Sequence, residues 1–252
     1  MNRPTLKWIL AGILSTFMLW TGCNQSKEEP PWVAIAGYTA NLIYHEPFTE
    51  DLSEWTLEGN GEARLTDEGM LKLLAYQGGN GLVLWAPVKL SGSFQLEYEV
   101  DISDSSGTNA VLFCAQSLEG EDLVQSSKER TGALSEYSNG ALQNYMITYN
   151  TVHADGSNKN QSRVRKNPQY LLLSHSDGDP CLEGSRHLID VVKMSNRIQF
   201  YVNGGLIHDV RDKGGFDAPV YMEGRFGFRV EPVNKDASVM IHRVKLYHLK
   251  PI

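Results

Sequence analysis

The chain is short of basic charge. Its 252 residues hold 23 Lys and Arg against 30 Asp and Glu, a formal net charge of −7 at pH 7. Neutralising phosphates needs the opposite balance, which excludes nucleic acid as the main partner. Cysteine is scarce, at three residues. Cys114 sits in an apolar run and reads as a buried thiol, Cys181 as a lone loop thiol. In an oxidising compartment those two could pair. The seven histidines are scattered, and no His, Cys or Asp spacing matches a zinc site. There is no Walker loop, no dinucleotide fingerprint and no Gly-x-Ser-x-Gly elbow. No stretch carries a convincing long helical period or a repeat of solenoid length.

What is present begins with a leader. Arg3 and Lys7 precede an apolar run over residues 8–20, too short to span a membrane comfortably. It ends Leu19-Trp20-Thr21-Gly22-Cys23, which resembles a lipoprotein cleavage site with Cys23 as the lipidated first residue. Trp20 departs from the aliphatic residue usual there. Lys27-Glu28-Glu29 resembles a surface-export signal, so an outer-membrane lipoprotein is expected, anchored through Cys23. The organisation read from the sequence is a signal peptide over residues 1–23, a polar tether over 24–40 stiffened by Pro30 and Pro31, and one folded domain over 41–252.

The folded part reads as short strands. Hydrophobic residues at 41% and aromatics at 10% exclude wholesale disorder. Residues 93–102 alternate cleanly, with Phe94, Leu96, Tyr98, Val100 and Ile102 on one face and Gln95, Glu97, Glu99 and Asp101 on the other. The acidic face reads as a solvated sheet surface. Residues 109–116 are apolar on both faces, as in a central strand. Asn203-Gly204-Gly205 signals a hairpin. The last strand, residues 237–249, is mixed on both faces. A short helix fits within residues 120–130. Many short strands at near-regular spacing predict a two-sheet sandwich.

Residues 120–175 stand out, because their charged and amide residues exceed what a plain connection needs. In order come Glu121-Asp122-Leu123, Arg130-Thr131-Gly132, Glu136-Tyr137, a strand ending in Tyr149, and Arg163-Val164-Arg165-Lys166. With the earlier Val83-Leu84-Trp85-Ala86-Pro87 and the later Gly227-Phe228-Arg229, this order resembles the YesU-like family, a domain of unknown function with a concanavalin-like jelly roll. The resemblance covers about residues 44–249. It implies an all-β jelly-roll sandwich of two antiparallel sheets. Members are often encoded beside genes for breakdown of pectin-type polysaccharides, so it also implies a glycan role, without a known reaction.

Arg163 and Arg165 share one face of a strand while Lys166 points away. Two guanidinium forks on one face suit a uronate carboxylate; the plainer reading is a solvated edge strand. Glu121, Asp122 and Glu136 are candidates for the carboxylate pair of a glycoside hydrolase, though Glu136 could simply pair with Arg130. In a polysaccharide lyase, Tyr149 or His175 would take the proton beside the carboxyl group while an arginine stabilises the enolate. Gln143, Tyr145, Ile147 and Tyr149 share a strand face that suits a sugar ring, although a single Tyr more often packs in a core. The expected catalytic set is therefore Glu136, Tyr149 and His175. The expected substrate-binding set is Glu121, Arg130, Tyr137, Gln143, Tyr145, Arg163, Arg165 and, by resemblance, Arg229. No cofactor is expected. Asp177-Gly178-Asp179 is the one turn suited to calcium, and a plain turn is the simpler reading. The expected partner is an acidic oligosaccharide or polysaccharide, bound and, if the protein is an enzyme, cleaved as by a glycoside hydrolase or polysaccharide lyase; the alternative is a non-catalytic glycan-binding protein.

Overall fold

Alternating apolar residues decide both sheets. The computed structural model describes residues 29–252 except 103–105, 120, 122, 183–185 and 216–217. The leader and Cys23 lie outside the described residues, as does Asp122. In chain order the strands are β1 (Tyr38–Glu46), β2 (Thr56–Gly59), β3 (Gly61–Leu65), β4 (Leu71–Ala75), β5 (Leu82–Ser91), β6 (Phe94–Asp101), β7 (Thr108–Ser117) and β8 (Leu142–Tyr149). They continue as β9 (Gln161–Asn167), β10 (Leu171–Asp177), β11 (Arg186–Met194), β12 (Arg197–Val202), β13 (Gly205–Arg211), β14 (Glu223–Glu231) and β15 (Ala237–Pro251). Between β7 and β8 lie a 3-10 turn (Ser127–Glu129) and a short helix α1 (Leu134–Ser138). The helix expected within residues 120–130 is reduced to that one turn.

Two antiparallel sheets pack face to face. The eight-stranded sheet runs β13-β12-β11-β6-β15-β4-β3, with β1 also paired to β15. The seven-stranded sheet runs β10-β9-β8-β7-β14-β5-β2. The jelly-roll sandwich expected from the sequence is thus the observed architecture. Phe94, Leu96, Tyr98 and Val100 of β6 meet Val111 and Phe113 of β7, Ile147 and Tyr149 of β8, and Phe226 and Phe228 of β14 in one core. Cys114 and Cys181 are both buried and free.

β15 is mixed on both faces because it is bulged. Its pairing with β6 shifts between Ile241 and Val244, so Val239 and Ile241 face the core before the shift and Val244 and Leu246 after it. The β12–β13 hairpin turns on Asn203 and Gly204, both at positive φ.

The packed chain starts before residue 41. β1 begins at Tyr38, and residues 29–37 lie against the outer face of the eight-stranded sheet through Trp32, Val33 and Ile35. The acidic face of β6 is therefore not all solvated: Glu97 is 1% exposed beneath this run.

Candidate functional site

The outer face of the seven-stranded sheet is unusually apolar for a surface. Val83 and Trp85 of β5, Ala110 and Leu112 of β7 and Met146 of β8 form a second cluster there. The connection between β7 and β8 covers it with Leu123, Leu134 and Tyr137. Three features hold that cover down. Arg130 grips Glu58 of β2 with Nε at 2.9 Å and with Nη2. Tyr137 Oη donates to the same carboxylate at 2.9 Å. Gly132 sits where a Cβ would meet Gly81 O at 2.0 Å, so only glycine allows that approach, and its φ of +85° suits glycine too. Arg229 seals the seam, donating to Gly132 O at 3.1 Å and Asn80 O at 3.2 Å and pairing with Glu231 at 2.6 Å.

These contacts redirect several expected roles. Arg130 and Tyr137 have their polar groups engaged by protein, and Arg229 has both terminal nitrogens engaged and its side chain buried; all three fasten the cover to the sheet and are not free to hold a substrate. Glu136 accepts from the Thr131 amide, the Thr131 hydroxyl and the Ala133 amide, each at 3.0 Å, so it caps the turn entering α1. It is not paired with Arg130.

The β8 face chosen from the sequence points inward. Tyr145 is fully buried, donating to Asp212 Oδ2 at 2.6 Å and stacking on Phe113. Asp212 also pairs with Lys166 at 2.7 Å. Burial raises the Asp212 carboxyl, but the bonds from Lys166 and Tyr145 outweigh it and leave it lowered. Tyr149 is 2% exposed, its hydroxyl 3.2 Å from that of Tyr98, and burial raises its phenol. A proton-transfer role for Tyr149 fails for this reason. Gln143 donates to Gln116 Oε1 at 2.8 Å, at the end of the same face. Parity was right; which side was the core was not, because both sides of this sheet are covered by apolar residues.

The opposite face of β8 and β9 opens into a groove of about 400 Å³. Met146 and Thr148 of β8, Gln161 and Arg163 of β9, and Arg229 and Glu231 of β14 line it. Residues 151–159 wall one side, where Val152 bridges Asn158 and the Lys159 amide donates to Thr151 O at 2.7 Å. Leu134 and Tyr170 complete it.

Arg163 and Arg165 do lie on one face, and Lys166 turns into the interior, 2% exposed. Their surroundings differ. The β9–β10 turn takes Gln169 and Tyr170 through positive φ and lays the Tyr170 ring 3.7 Å from the Arg165 guanidinium. Arg165 Nη1 also donates to Tyr170 O at 2.7 Å, so this arginine is capped. Arg163 is half-buried and has no carboxylate partner among the described residues. Its Nη2 donates to Gln161 Oε1 at 2.7 Å and its Nε reaches His175 Nδ1 at 3.5 Å. His175 Nε2 lies 2.8 Å from Asp177 Oδ1. Of the arginines and proton-transfer candidates named from the sequence, Arg163 and His175 are thus neighbours. Glu121 instead lines a separate hollow of about 310 Å³ with Lys89, Gln116 and Arg225, sharing no residue with the first.

The sequence reasoning missed Tyr170, Thr148, Gln161 and Lys159. Tyr170 was concealed by its turn. Thr148 was signalled by parity, standing beside Arg163 across β8 and β9.

Residues 41–238 match a family described as a domain of unknown function, DUF1961. The chain belongs to this family. A relative, the uncharacterized protein YesU of Bacillus subtilis (strain 168), is 25% identical over 195 residues, spanning 74% of this chain and 88% of YesU. A crystal structure of a protein of unknown function with galectin-like fold from Bacillus subtilis superposes with a TM-score of 0.76 at 22% identity, over 85% of this chain and all of that one. The carbohydrate-binding module CBM66 from Bacillus subtilis gives 0.50 at 17% identity, over 78% of this chain and 96% of the module. A kappa-carrageenase from Pseudoalteromonas carrageenovora, in complex with an oligotetrasaccharide, gives 0.54 at 13%, over 89% of this chain and all of the enzyme. At these identities the superpositions give the DUF1961 domain its fold and nothing finer.

Proposed function

We propose that the protein binds an acidic, uronate-containing oligosaccharide in the groove over β8 and β9. The observation that carries this is Arg163: a half-buried guanidinium inside a saccharide-sized groove, oriented by Gln161 and His175, whose Nη1 meets no acceptor among the described residues. A planar fork of that kind matches a carboxylate. Lys159 adds a second positive charge on the groove wall. Tyr170 offers apolar surface to the C–H faces of a sugar ring. Thr148 and Gln161 offer hydroxyl and amide groups to its edge. A carbohydrate-binding module and a glycan-cleaving enzyme with the same fold support a saccharide ligand.

Titration calorimetry with acidic and neutral oligosaccharides of matched length tests the reading. Arg163→Ala should weaken the acidic ligand about 10- to 100-fold, the loss of a charge-assisted bond of about 1.5–3 kcal/mol. Neutral-ligand affinity should stay within about twofold of wild type. Equal loss for both ligands would assign Arg163 to the fold.

One observation favours a second reading, a polysaccharide lyase. His175 lies between Asp177 and Arg163. With Arg163 on the uronate carboxylate, His175 Nδ1 would take the C5 proton, the electron pair would form the C4–C5 double bond, and the C4–oxygen bond would break with the leaving oxygen protonated by water. Ultraviolet absorbance of unsaturated uronate reports it. Hydrolysis has less support: Glu231 is the one carboxylate among the described groove residues, and it is paired to Arg229. We place the protein at the cell envelope through a lipidated Cys23; Cys23→Ser should move it from membrane to soluble fractions.

A further inference from the structure

The outer face of the eight-stranded sheet carries two carboxyl groups that water does not reach. Glu97 on β6 and Asp190 on β11 are register partners, 1% and 0% exposed. Cross-strand partners on one face have Cβ atoms about 4.5–5.5 Å apart. The cover is the chain's own N-terminal run. The Trp32 amide donates to Glu97 Oε1 at 2.5 Å. Gln95 Nε2 donates to Val33 O at 3.0 Å and to Asp190 Oδ1 at 2.7 Å. Glu29 closes the end: its carboxylate accepts from Lys245 Nζ at 2.7 Å, and its carbonyl from Tyr247 Oη at 3.2 Å. The Arg243 guanidinium lies 5.1 Å from the centre of the Trp32 ring.

Among the described residues this arrangement is short of donors. Glu97 Oε2 and Asp190 Oδ2 are buried with no hydrogen-bond partner there, and the Tyr247 hydroxyl beside Glu97 donates to Glu29 O. Buried acceptors left unpaired are costly, and two adjacent carboxylates resist double ionisation in a dry site. One proton between the two groups removes both penalties.

We propose that residues 29–37 form a proton-gated strap, held on the sheet while Glu97 and Asp190 share a proton and released when that proton is lost. The remaining charged groups facing the pair fit this. Lys245 on β15 is also the register partner of Glu97, yet its ammonium serves Glu29. Once Glu29 departs, Lys245 can pair with an ionised Glu97, so the open state gains as the closed state loses. Tyr247 on β15 and Tyr201 on β12 flank the pair, while His45 on β1 and Arg243 flank Lys245. Burial and the facing Asp190 push Glu97 up to about 8, and burial pushes Asp190 up to about 6. The closed strap therefore keeps a proton that the opened, hydrated pair gives up at lower pH. Closure weakens as pH rises from about 5, by up to about tenfold per pH unit, and levels off once Glu97 ionises in the closed state too.

Selective ¹⁵N-tryptophan labelling of the full chain in detergent follows the Trp32 amide, assigned with Trp32→Phe. From pH 5.5 to pH 9 the wild-type amide should lose its hydrogen-bonded, downfield position. Glu97→Gln, which keeps an acceptor for Trp32 and supplies a permanent donor toward Asp190, should hold that position throughout. If Glu97→Gln does not fold, Asp190→Asn serves the same purpose. A Trp32 signal unchanged across the range in wild type, or one that moves equally in the amide variants, overturns the proposal.

Discussion

Glu58→Gln is the sharpest test of how the site is held. The wild-type carboxylate is fully buried at its side chain, and the Arg130 side chain is 11% exposed. The substitution keeps the shape but removes the negative charge, leaving Arg130 with a neutral partner and one acceptor oxygen for three donor groups. Breaking a buried pair on one side costs about 3–5 kcal/mol. The retained amide oxygen still accepts one bond, so about 3 kcal/mol is expected. That is a large share of a domain's total of about 5–15 kcal/mol. The loss need not appear whole in global unfolding, because the cover can detach while the sandwich persists. Two measurements separate these outcomes: urea denaturation for the sandwich, and hydrogen exchange at residues 123–138 for the cover. Exchange there should rise by about a hundredfold or more if the cover opens alone, since 1.4 kcal/mol is tenfold. Stability within about 1 kcal/mol of wild type, together with unchanged exchange, would refute the fastening role.

The other substitutions discriminate between packing and ligand roles. Tyr149→Phe should cost about 1 kcal/mol of stability through its hydroxyl contact with Tyr98, and leave glycan binding or turnover unchanged; calorimetry and the uronate assay check this. Tyr170→Ala should weaken acidic and neutral oligosaccharides alike, by about tenfold, if its ring offers a sugar platform; an effect confined to acidic ligands would assign it to holding Arg165. His208 is buried between Ser162 Oγ and Ser174 Oγ, each at 2.9 Å, and burial, then the nearby His175, push it down to about 4. The folded form binds that proton less readily than the unfolded chain, so stability should fall as pH drops from about 6.5 toward 4, by at most about 3 kcal/mol. His208→Gln should flatten that slope in denaturation curves taken across the range.

Strand identity was legible wherever alternation was clean, as in β6, and wherever a turn demanded positive φ, as at Asn203-Gly204. It blurred in β15, where a bulge exchanges the two faces mid-strand and no local residue announces it. The region of the candidate groove was legible, since residues 120–175 supply both the cover beside it and most of its lining. Individual roles were less so. Arg130, Tyr137, Glu136 and Arg229, which carry much of the resemblance, serve to fasten the cover, and their partner Glu58 lies far away in sequence. Nothing around β2 marks that glutamate as special. Parity divided β8 correctly but could not say which half faced inward, because both sheet faces are covered. Glu97 looked solvated because a polar-tether composition gives no sign that the tether folds back.

The N-terminal run and the groove occupy opposite outer faces of the sandwich. A hold on the N-terminal run is therefore a hold on the back of the sandwich. A long polymer laid over the groove would rest on the far side from that hold and would not be squeezed against it.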